Sequence, residues 1–467
     1  MALNLVRNSK VYFTSNVNSA GVVQATGFDA TNTQEIQVLD GFTFSQNTNA
    51  EIVTISEAGV APVRGQRSFN TSLAPVDFSI STYIRPANAT TSITAEESVL
   101  WNALFSTNAI STANTLTVAT TGVTAGYAFA NGDGVLTLTG TFTLGTLAVG
   151  DWVVISGLSH ATDGTILNAA ARVLTATTSS ITLALSAPKA GGAAITAITA
   201  PGAVKLYKSA WAPVASTYSV VSSSGSNANQ LQTFGMIFVV DNVTYVVDNC
   251  AMNQVMIDFG LDAIATAAWT GQGTVLRALS APLTLTSAAA KNTTAPFITN
   301  KLSTVSMSLV NALGSAIAGT SYAIALTGGS ITINNNISYI TPANLGVVNL
   351  PAVYYTGTRA ITGTLNAYLK TGSGVGSTGQ LLQDMLAAAS AATEPMAALS
   401  LVIGGTTNAT KVVLEMPAVT FSIPTVDVQQ VVSTVINFTA EGSTPGASSS
   451  TFAIDETNDI AIRYYSA

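Results

Sequence analysis

Charged side chains are scarce in this sequence. Of its 467 residues, 16 are Lys or Arg and 23 are Asp or Glu, so that 8% are charged, against about 25% in an average soluble protein. Charge is depleted in the buried centre of protein interfaces, so this deficit indicates that other subunits cover much of the surface. The net charge of −7 argues against nucleic-acid binding through a basic surface.

The sequence has one cysteine, Cys250, and one histidine, His160. An intrachain disulfide and a cysteine-based zinc site are therefore excluded. A Ser-His-Asp triad or a histidine metal cluster would depend on His160, which we expect to lie in a solvated loop. We predict that the protein is not an enzyme and that it uses no metal and no cofactor.

Long apolar runs are missing as well. No stretch of about 18 consecutive apolar residues occurs, although the mean hydropathy is +0.43. The first ten residues lack the apolar core of a signal peptide. We therefore expect no membrane partner.

Most of the sequence has the two-residue period that is typical of β-strands. Residues 41–45, 77–83 and 330–333 alternate apolar and polar side chains. Two stretches have helical spacing instead, 94–104 and 380–389, and the first begins with a capping box from Thr94 to Glu97. The pattern predicts a mainly β fold with two helices.

The same unit occurs twice along the chain. The matches follow one order, strand, strand, helix, strand, strand, and their offset falls from 282 to 167 after the helix, which places an insertion of about 115 residues in the first copy. The matched stretches are 41–47 with 330–336, 81–84 with 366–369, 99–100 with 381–382, 245–248 with 412–415, and 269–274 with 438–443.

This repeat predicts a domain organisation. Residues 1–106 and 231–279 form the first unit, 280–467 form the second, and 107–230 form an inserted all-β domain with linkers. The inserted stretch holds about five short strands. Its flanks, 111–130 and 222–229, are rich in Thr, Ser, Ala and Gly and are interpreted as linkers.

Three motifs have competing interpretations. Gly374, Gly376 and Gly379 match the spacing of a dinucleotide-binding loop, but no βαβ alternation follows, which favours a flexible loop. Glu96 and Glu97 could line an acidic surface or place favourable charge at a helix N-terminus. The basic spot formed by Arg64 and Arg67 lies in a predicted long loop, 47–70, which is either solvated or a subunit contact.

Several stretches resemble phage major tail tube proteins, above all the duplicated type of long-tailed, siphovirus-like phages. In the first half they are 33–49, 56–59, 62–70 and 78–84, and in the second half 331–342 and 362–369. The likeness covers roughly 1–106 and 231–467. The resemblance implies two tandem β-sandwich units, each with one flanking helix, to which this chain adds a small inserted all-β domain.

The resemblance also implies an assembly. Three chains with two units each would form a pseudo-hexameric ring, and rings would stack helically into a tube that conducts genomic DNA without binding it specifically. The implied partners are further copies of the chain and the tail tip, tape-measure and tail-terminator proteins. The implied location is the virion tail, assembled in the host cytoplasm. Candidate inter-ring or inter-subunit contacts are Glu51, Glu57, Arg64 and Arg67.

An inserted domain at 107–230 is absent from the family pattern, so we expect it on the outside of the tube, where it cannot obstruct DNA. The alternative function is a β-rich virion decoration protein or adhesin that binds glycan through this domain.

Overall fold

The computed structural model has a mainly β architecture, in agreement with the alternating sequence pattern. The residues that it describes are 9–39, 41–56, 58–61, 64–88, 93–105, 110–112, 114–119, 123–130, 133–144, 152–163, 167, 170–185, 195–200, 204–208, 218–221, 231–241, 243–261, 263–279, 283, 285, 298–309, 321–345, 347–370, 377–388, 396–404, 410–428, 432–440 and 459–465.

Strands and one helix of the first part of the chain precede the predicted insertion. They are β1 (Lys10–Thr14), β2 (Thr33–Ile36), β3 (Thr43–Ser56), β4 (Arg64–Tyr83), β5 (Pro86–Asn88), β6 (Ile93–Ala95) and α1 (Ser98–Phe105). Four strands follow the insertion, namely β16 (Phe234–Val240), β17 (Val243–Asp258), β18 (Thr266–Gly273) and β19 (Val275–Leu279).

The intervening strands are short. They are β7 (Ile110–Thr112), β8 (Asn114–Ala119), β9 (Thr124–Ala130), β10 (Asp133–Thr139), β11 (Trp152–Ser156), β12 (Ala170–Ala176), β13 (Ser180–Leu185), β14 (Val204–Lys208) and β15 (Tyr218–Val221). Seven of them form a separate antiparallel sheet in the order β8-β14-β11-β12-β13-β10-β9, with an apolar core of its own around Leu136, Leu183 and Leu206.

The last part of the chain repeats the first part's mixture of strands and one helix. A 3₁₀ turn (Asn300–Leu302) leads into β20 (Thr304–Leu309), β21 (Ser321–Ala323), β22 (Leu326–Asn334), β23 (Ser338–Ile340), β24 (Val353–Tyr355), β25 (Ala360–Tyr368), α2 (Thr378–Ala388), β26 (Met396–Gly404), β27 (Lys411–Phe421), β28 (Thr425–Val428), β29 (Val432–Ala440) and β30 (Ala461–Tyr465).

Eight of these strands form one antiparallel sheet, which we call the main sheet. Its order is β3-β4-β18-β17-β22-β25-β29-β28. A second layer packs against each half of it. In the first half this outer layer runs β2-β1-β16-β17-β19, and in the second half β21-β20-β26-β27-β30. Apolar side chains between the layers form the largest core.

The pairing pattern of the first four strands of the main sheet recurs in the last four. In the first half, Met252 pairs with Gly271, and in the second half the corresponding pair is Val419 with Ala440. Likewise, the first-half pair of Asp258 with Thr266 corresponds to the second-half pair of Thr425 with Val435. These pairs keep the sequence offsets of 167 and 169. The strands β3, β4, β18 and the end of β17 thus correspond to β22, β25, β29 and β28.

The sequence offset between the second strands of the two units, β4 and β25, differs from the one that the repeat matches predict. Thr43 pairs with Ser79, and its counterpart Thr332 pairs with Thr362. The strands β4 and β25 therefore correspond at an offset of 283, two residues away from the match of 81–84 with 366–369. Short polar and apolar alternation matches itself at any even shift, so the sequence alone did not distinguish the two registers.

The predicted helices both exist, but the first begins later than expected. Its capping box is wrong, because Thr94 lies in β6 and α1 begins at Ser98. The second helix, α2, agrees with the predicted 380–389 within two residues at its start. Both helices carry their buried side chains at helical spacing.

Two predicted irregular segments are strands. The loop prediction for 47–70 is wrong, because β3 and β4 extend through it as a long hairpin with Val53 opposite Arg67. The linker prediction for 111–130 is wrong as well, since β7, β8 and β9 occupy most of that stretch. Thr-, Ser- and Ala-rich composition fits an exposed strand as well as a linker. The other predicted linker, 222–229, lies outside the described residues.

Candidate functional site: a polar sheet face with two open edges

The main sheet has one apolar face and one polar face. Residues such as Phe78, Trp269, Ile331 and Phe438 alternate into the core. The opposite side chains, which we call the polar face, are small and mostly uncharged. They include Thr43, Ser45, Ser79, Ser81, Thr270, Gln272, Gln254, Ser330, Thr332, Thr362, Thr364, Asn366, Asn437 and Thr439.

Charge on the polar face is of one sign. Among the side chains whose burial the structure describes, the charged ones on this face are Asp77 and Asp258, and none is Lys or Arg. The amide of Gln272 donates to Asp77 Oδ1 at 2.9 Å, and the hydroxyls of Ser330 and Thr364 lie 3.2 Å apart. A surface without cations cannot hold phosphate groups by ion pairing, and its carboxylates repel them.

The two edges of the main sheet are open. Among the described strands, β3 pairs with β4 alone, and β28 pairs with β29 alone. Inside the chain, each counterpart has partners on both sides, because β22 pairs with β25 and β17, and the end of β17 pairs with β18 and β22. An unpaired antiparallel edge is a template for a further strand.

The hairpin of β3 and β4 extends beyond the main sheet, and we call its outer part, residues 47–70, the ribbon. Glu51, Arg64 and Arg67 are exposed there, and no ion pair involves them in the part of the chain that the structure describes. Glu57 lies outside the described residues. Ile52 and Phe69 are also exposed, at 62% and 51%. Charged and apolar groups on a projecting two-stranded hairpin offer a surface for another molecule.

In the second half, the hairpin at the corresponding place folds back onto the first half. The strands β23 and β24 pair with each other, the hydroxyl of Tyr339 donates to the carbonyl of Asn249 at 2.6 Å, and that of Tyr354 donates to the carbonyl of Leu231 at 2.7 Å. The backbone of Asn349 exchanges hydrogen bonds with the base of the ribbon at Thr71 and Leu73. The ribbon is therefore braced at its base.

The joint between the halves of the main sheet is the pairing of β17 with β22, in which Met256 lies opposite Thr332. Side chains strengthen it. The amide of Asn335 donates to the carbonyl of Leu104 at 2.7 Å. Nearby, the indole of Trp101 donates to the hydroxyl oxygen of Tyr464 at 2.6 Å, and that hydroxyl donates to the carboxyl of Glu97.

The position of Glu97 excludes both interpretations drawn from the sequence for this residue. Glu97 is fully buried and Glu96 nearly so, hence neither lines an acidic surface, and Glu96 instead pairs with Arg85. Burial raises the pKa of the Glu97 carboxyl to about 8, against hydrogen bonds from Tyr464 and Trp101 that lower it. Glu97 is therefore largely protonated at neutral pH, so it places little charge at the start of α1.

Sequence reasoning missed an ion pair that occurs in both outer layers. Arg277 on β19 bonds Asp248 on β17, and Arg463 on β30 lies 3.0 Å from Glu415 on β27. The strand registers are the same, since Val246 faces Arg277 as Val413 faces Arg463. The sequence match of 245–248 with 412–415 already contained both acids, and a search for arginines on the following edge strands could have found their partners.

Among the residues that the structure describes, the chemical motifs from the sequence are not brought together at one site. Gly374 and Gly376 lie outside the described residues, and β25 before them is antiparallel to both of its neighbours, which does not fit a dinucleotide-binding βαβ unit. His160 accepts a bond from the backbone of Asp163 in a turn. Across the described ranges, no three His, Cys, Asp or Glu side chains lie close enough to hold a metal.

Neither helix in the described part of the chain has the length and apolarity that crossing a bilayer requires.

Comparison with known proteins agrees with the resemblance seen in the sequence. No family model matches the chain. The chain is 24% identical over 450 residues to the tail tube protein pb6 of Escherichia phage T5, an alignment that covers 94% of this chain and 73% of that protein. The resemblance to phage tail tube proteins is therefore confirmed.

Proposed function

We propose that this protein is the structural subunit of a phage tail tube, in which three chains close into a ring and rings stack around a channel for DNA. The observation that carries the proposal is the main sheet, which has two similar halves and whose edge strands, among the described strands, each pair on one side only. Such a sheet leaves no exposed edge once copies join end to end and close, as heterologous contacts in a ring do.

The number of strands favours three chains. Eight strands from each of three chains give a barrel of 24. With strands about 4.8 Å apart and tilted by about 40°, its backbone diameter is roughly 40–50 Å. Side chains that extend about 5 Å inward from each side of the wall leave a free channel roughly 30–40 Å across. Two chains would leave roughly 20–25 Å, which gives a duplex roughly 20 Å across almost no room for its hydration shell.

The polar face would line this channel. Its hydroxyl and amide groups keep the wall hydrated, while Asp77 and Asp258 repel phosphates. DNA would therefore pass without specific binding. In this proposal the protein acts as a conduit in the virion tail and not as an enzyme.

The ribbon would contact the next ring in the stack, with Arg64, Arg67 and Glu51 as the charged contacts and Ile52 and Phe69 as the apolar ones. Replacing both arginines by glutamate should leave single rings intact and shorten or abolish stacked tubes in electron micrographs. The control is Lys301→Glu, an exposed cation outside the ribbon. Tubes of normal length from the double variant would contradict this contact.

The division at 107–230 and the outside location of the inserted domain are part of the proposal. They are supported by the position of β15, which pairs with β30 in the outer layer and with β7 on its other side. The base of the insertion thus joins the layer that faces away from the polar face. A glycan-binding role of this domain has no supporting contact among the described residues.

Particle mass and shape test the proposal. Three chains of 47.5 kDa give rings of about 143 kDa, which mass photometry can separate from monomers, dimers and hexamers. Negative-stain images should show rings and tubes with a stain-filled centre. A protein that stays monomeric at all concentrations, even with the tail-initiating proteins of its phage, would refute the ring.

A further inference from the structure

In the described part of the chain, the strand β30 has one more partner strand than β19, its counterpart in the first unit. β30 pairs with β27 as β19 pairs with β17, with Arg463 and Arg277 at equivalent positions. Whereas β19 pairs with β17 alone, β30 also pairs with β15, and β15 pairs with β7. The strands β7 and β15 form the base of the insertion. This base is therefore attached to the second unit through β30, although in sequence it lies between α1 and β16.

From β30, a first series of hydrogen bonds runs through α1 to the joint between β17 and β22. The hydroxyl of Tyr464 donates to the carboxyl of Glu97 and accepts a bond of 2.6 Å from the indole of Trp101. Near the end of α1, the carbonyl of Leu104 accepts a bond of 2.7 Å from the amide of Asn335. Asn335 directly follows β22, so α1 connects β30 to the joint.

A second series reaches the same place without using α1. The guanidinium of Arg359 donates from Nε to Oδ2 of Asp459 at 2.7 Å, just before β30. Both side chains are largely buried, so solvent screens their attraction little. The next residue, Ala360, begins β25 and pairs with Asn334 at the end of β22. The two series thus end at adjacent residues, Asn334 and Asn335.

The contacts of β30 depend on one another. Release of this strand would take Tyr464 from Glu97, Asp459 from Arg359 and Arg463 from Glu415 at the same time. Arg463 is fully buried, whereas the side chain of Arg277 in the first unit is 36% exposed. Because buried polar groups are costly to separate from their partners, β30 is held either by all of these contacts or by none.

We propose that β30 is a clasp that couples the inserted domain to the joint between the halves of the main sheet, so that the base of the insertion, α1 and the joint loosen together. The clasp goes beyond the proposed function, because it connects the domain proposed for the outside of the tube to the sheet proposed for its wall. The coupling lies within one chain and needs no ring.

Hydrogen exchange followed by mass spectrometry tests the clasp in the full chain. Ser219 on β15 lies opposite Arg463 of β30 and opposite Ser111 of β7. The variant Ser219→Pro removes a backbone N–H from this ladder and weakens the pairing of β15. Exchange should become about fivefold faster or more in the base of the insertion, and also in α1 and in residues 330–335 at the joint.

A proline in another central strand is the matched control. Thr182 lies on β13, between β10 and β12 of the separate inserted sheet. The variant Thr182→Pro should speed exchange in that sheet, whereas α1 and residues 330–335 should keep their wild-type rates.

Two tyrosine variants test the clasp from its other end. Tyr464 and Tyr322 are both buried, and the hydroxyl of each donates to a carboxyl on a helix, α1 for Tyr464 and α2 for Tyr322. Tyr464→Phe should speed exchange in α1, in β15 and in residues 330–335. Tyr322→Phe removes the same kind of bond and should speed exchange in α2, with wild-type rates at those three places.

The outcomes separate the clasp from the proposed function, because exchange is measured on unassembled chains. Faster exchange at the joint in Ser219→Pro and Tyr464→Phe, with wild-type rates there in both controls, supports the clasp. Faster exchange confined to β7, β15 and β30 overturns it, as does an equal rise at the joint in the controls. If Ser219→Pro fails to fold, the two tyrosine variants decide by the same criterion. A wild-type protein without rings refutes the proposed function and leaves this result unchanged.

Discussion

Replacing Glu97 by glutamine should make the stability of the protein less dependent on pH and higher near neutrality. Glu97 is fully buried between α1 and β30, with one carboxyl oxygen bonded by Tyr464 and Trp101 and the other without a partner in the described part of the chain. Glutamine keeps the shape and the acceptor oxygen and removes the titration.

The direction in which stability changes with pH follows from the raised pKa of Glu97. The carboxyl titrates near 4.5 in the unfolded chain and near 8 in the folded one. Between these values the folded state holds a proton that the unfolded state has lost, so stability falls as pH rises. The free energy of unfolding is lower at high pH than at low pH by about 5 kcal/mol in total. This loss is complete above about pH 8, and most of it occurs between about pH 5 and pH 8.

Urea unfolding followed by tryptophan fluorescence measures this directly, because Trp101 contacts the Glu97 carboxyl. We expect the wild-type free energy of unfolding to fall by several kcal/mol from about pH 5 to about pH 8, and that of Glu97→Gln to change much less. Leu136→Ala, in the separate core of the inserted sheet, is a control that lowers stability without changing the pH slope. Parallel pH profiles of wild type and Glu97→Gln would refute the reasoning.

Three further predictions concern packing, the inserted sheet and the channel wall. A Cβ on Gly363 would lie 2.3 Å from the Phe438 ring, so Gly363→Val should cost about 1–3 kcal/mol in thermal unfolding, whereas Gly65→Ala, with open space around it, should be nearly neutral. Deleting 114–208 and bridging β7 to β15 with a short Gly-Ser linker should leave tubes intact in micrographs, and a folded product without tubes would reject a decorative role. Asp258→Lys should leave rings intact and introduce salt-sensitive retention of DNA in a mobility assay, which the wild type lacks. Unchanged DNA mobility would argue against Asp258 facing the channel.

Much of the fold could be predicted from local sequence. Alternation located the strands at 41–45, 77–83 and 330–333, and helical spacing located α2. The order of the repeat matches predicts that the same unit occurs twice along the chain. These features depend on residues that are close together in sequence, so they can be predicted without knowledge of distant contacts.

What could not be predicted depends on partners far along the chain. The sequence of the ribbon predicts a loop, because a projecting hairpin has no buried face to impose a period on its side chains. The sequence predicts a capping box at Glu97, because nothing near this residue in sequence reveals Tyr464, whose hydroxyl donates to its carboxyl from the last strand. The ion pairs of Arg277 and Arg463 likewise join strands whose pairing is set by the whole sheet.

A high-resolution cryo-electron microscopy map of assembled tubes tests the central claim most directly. The account predicts threefold rings in which the main sheets of three chains form one 24-stranded barrel, with the polar face inward. A map in which the main sheets of neighbouring chains do not join, or in which the polar face points away from the channel, would contradict it.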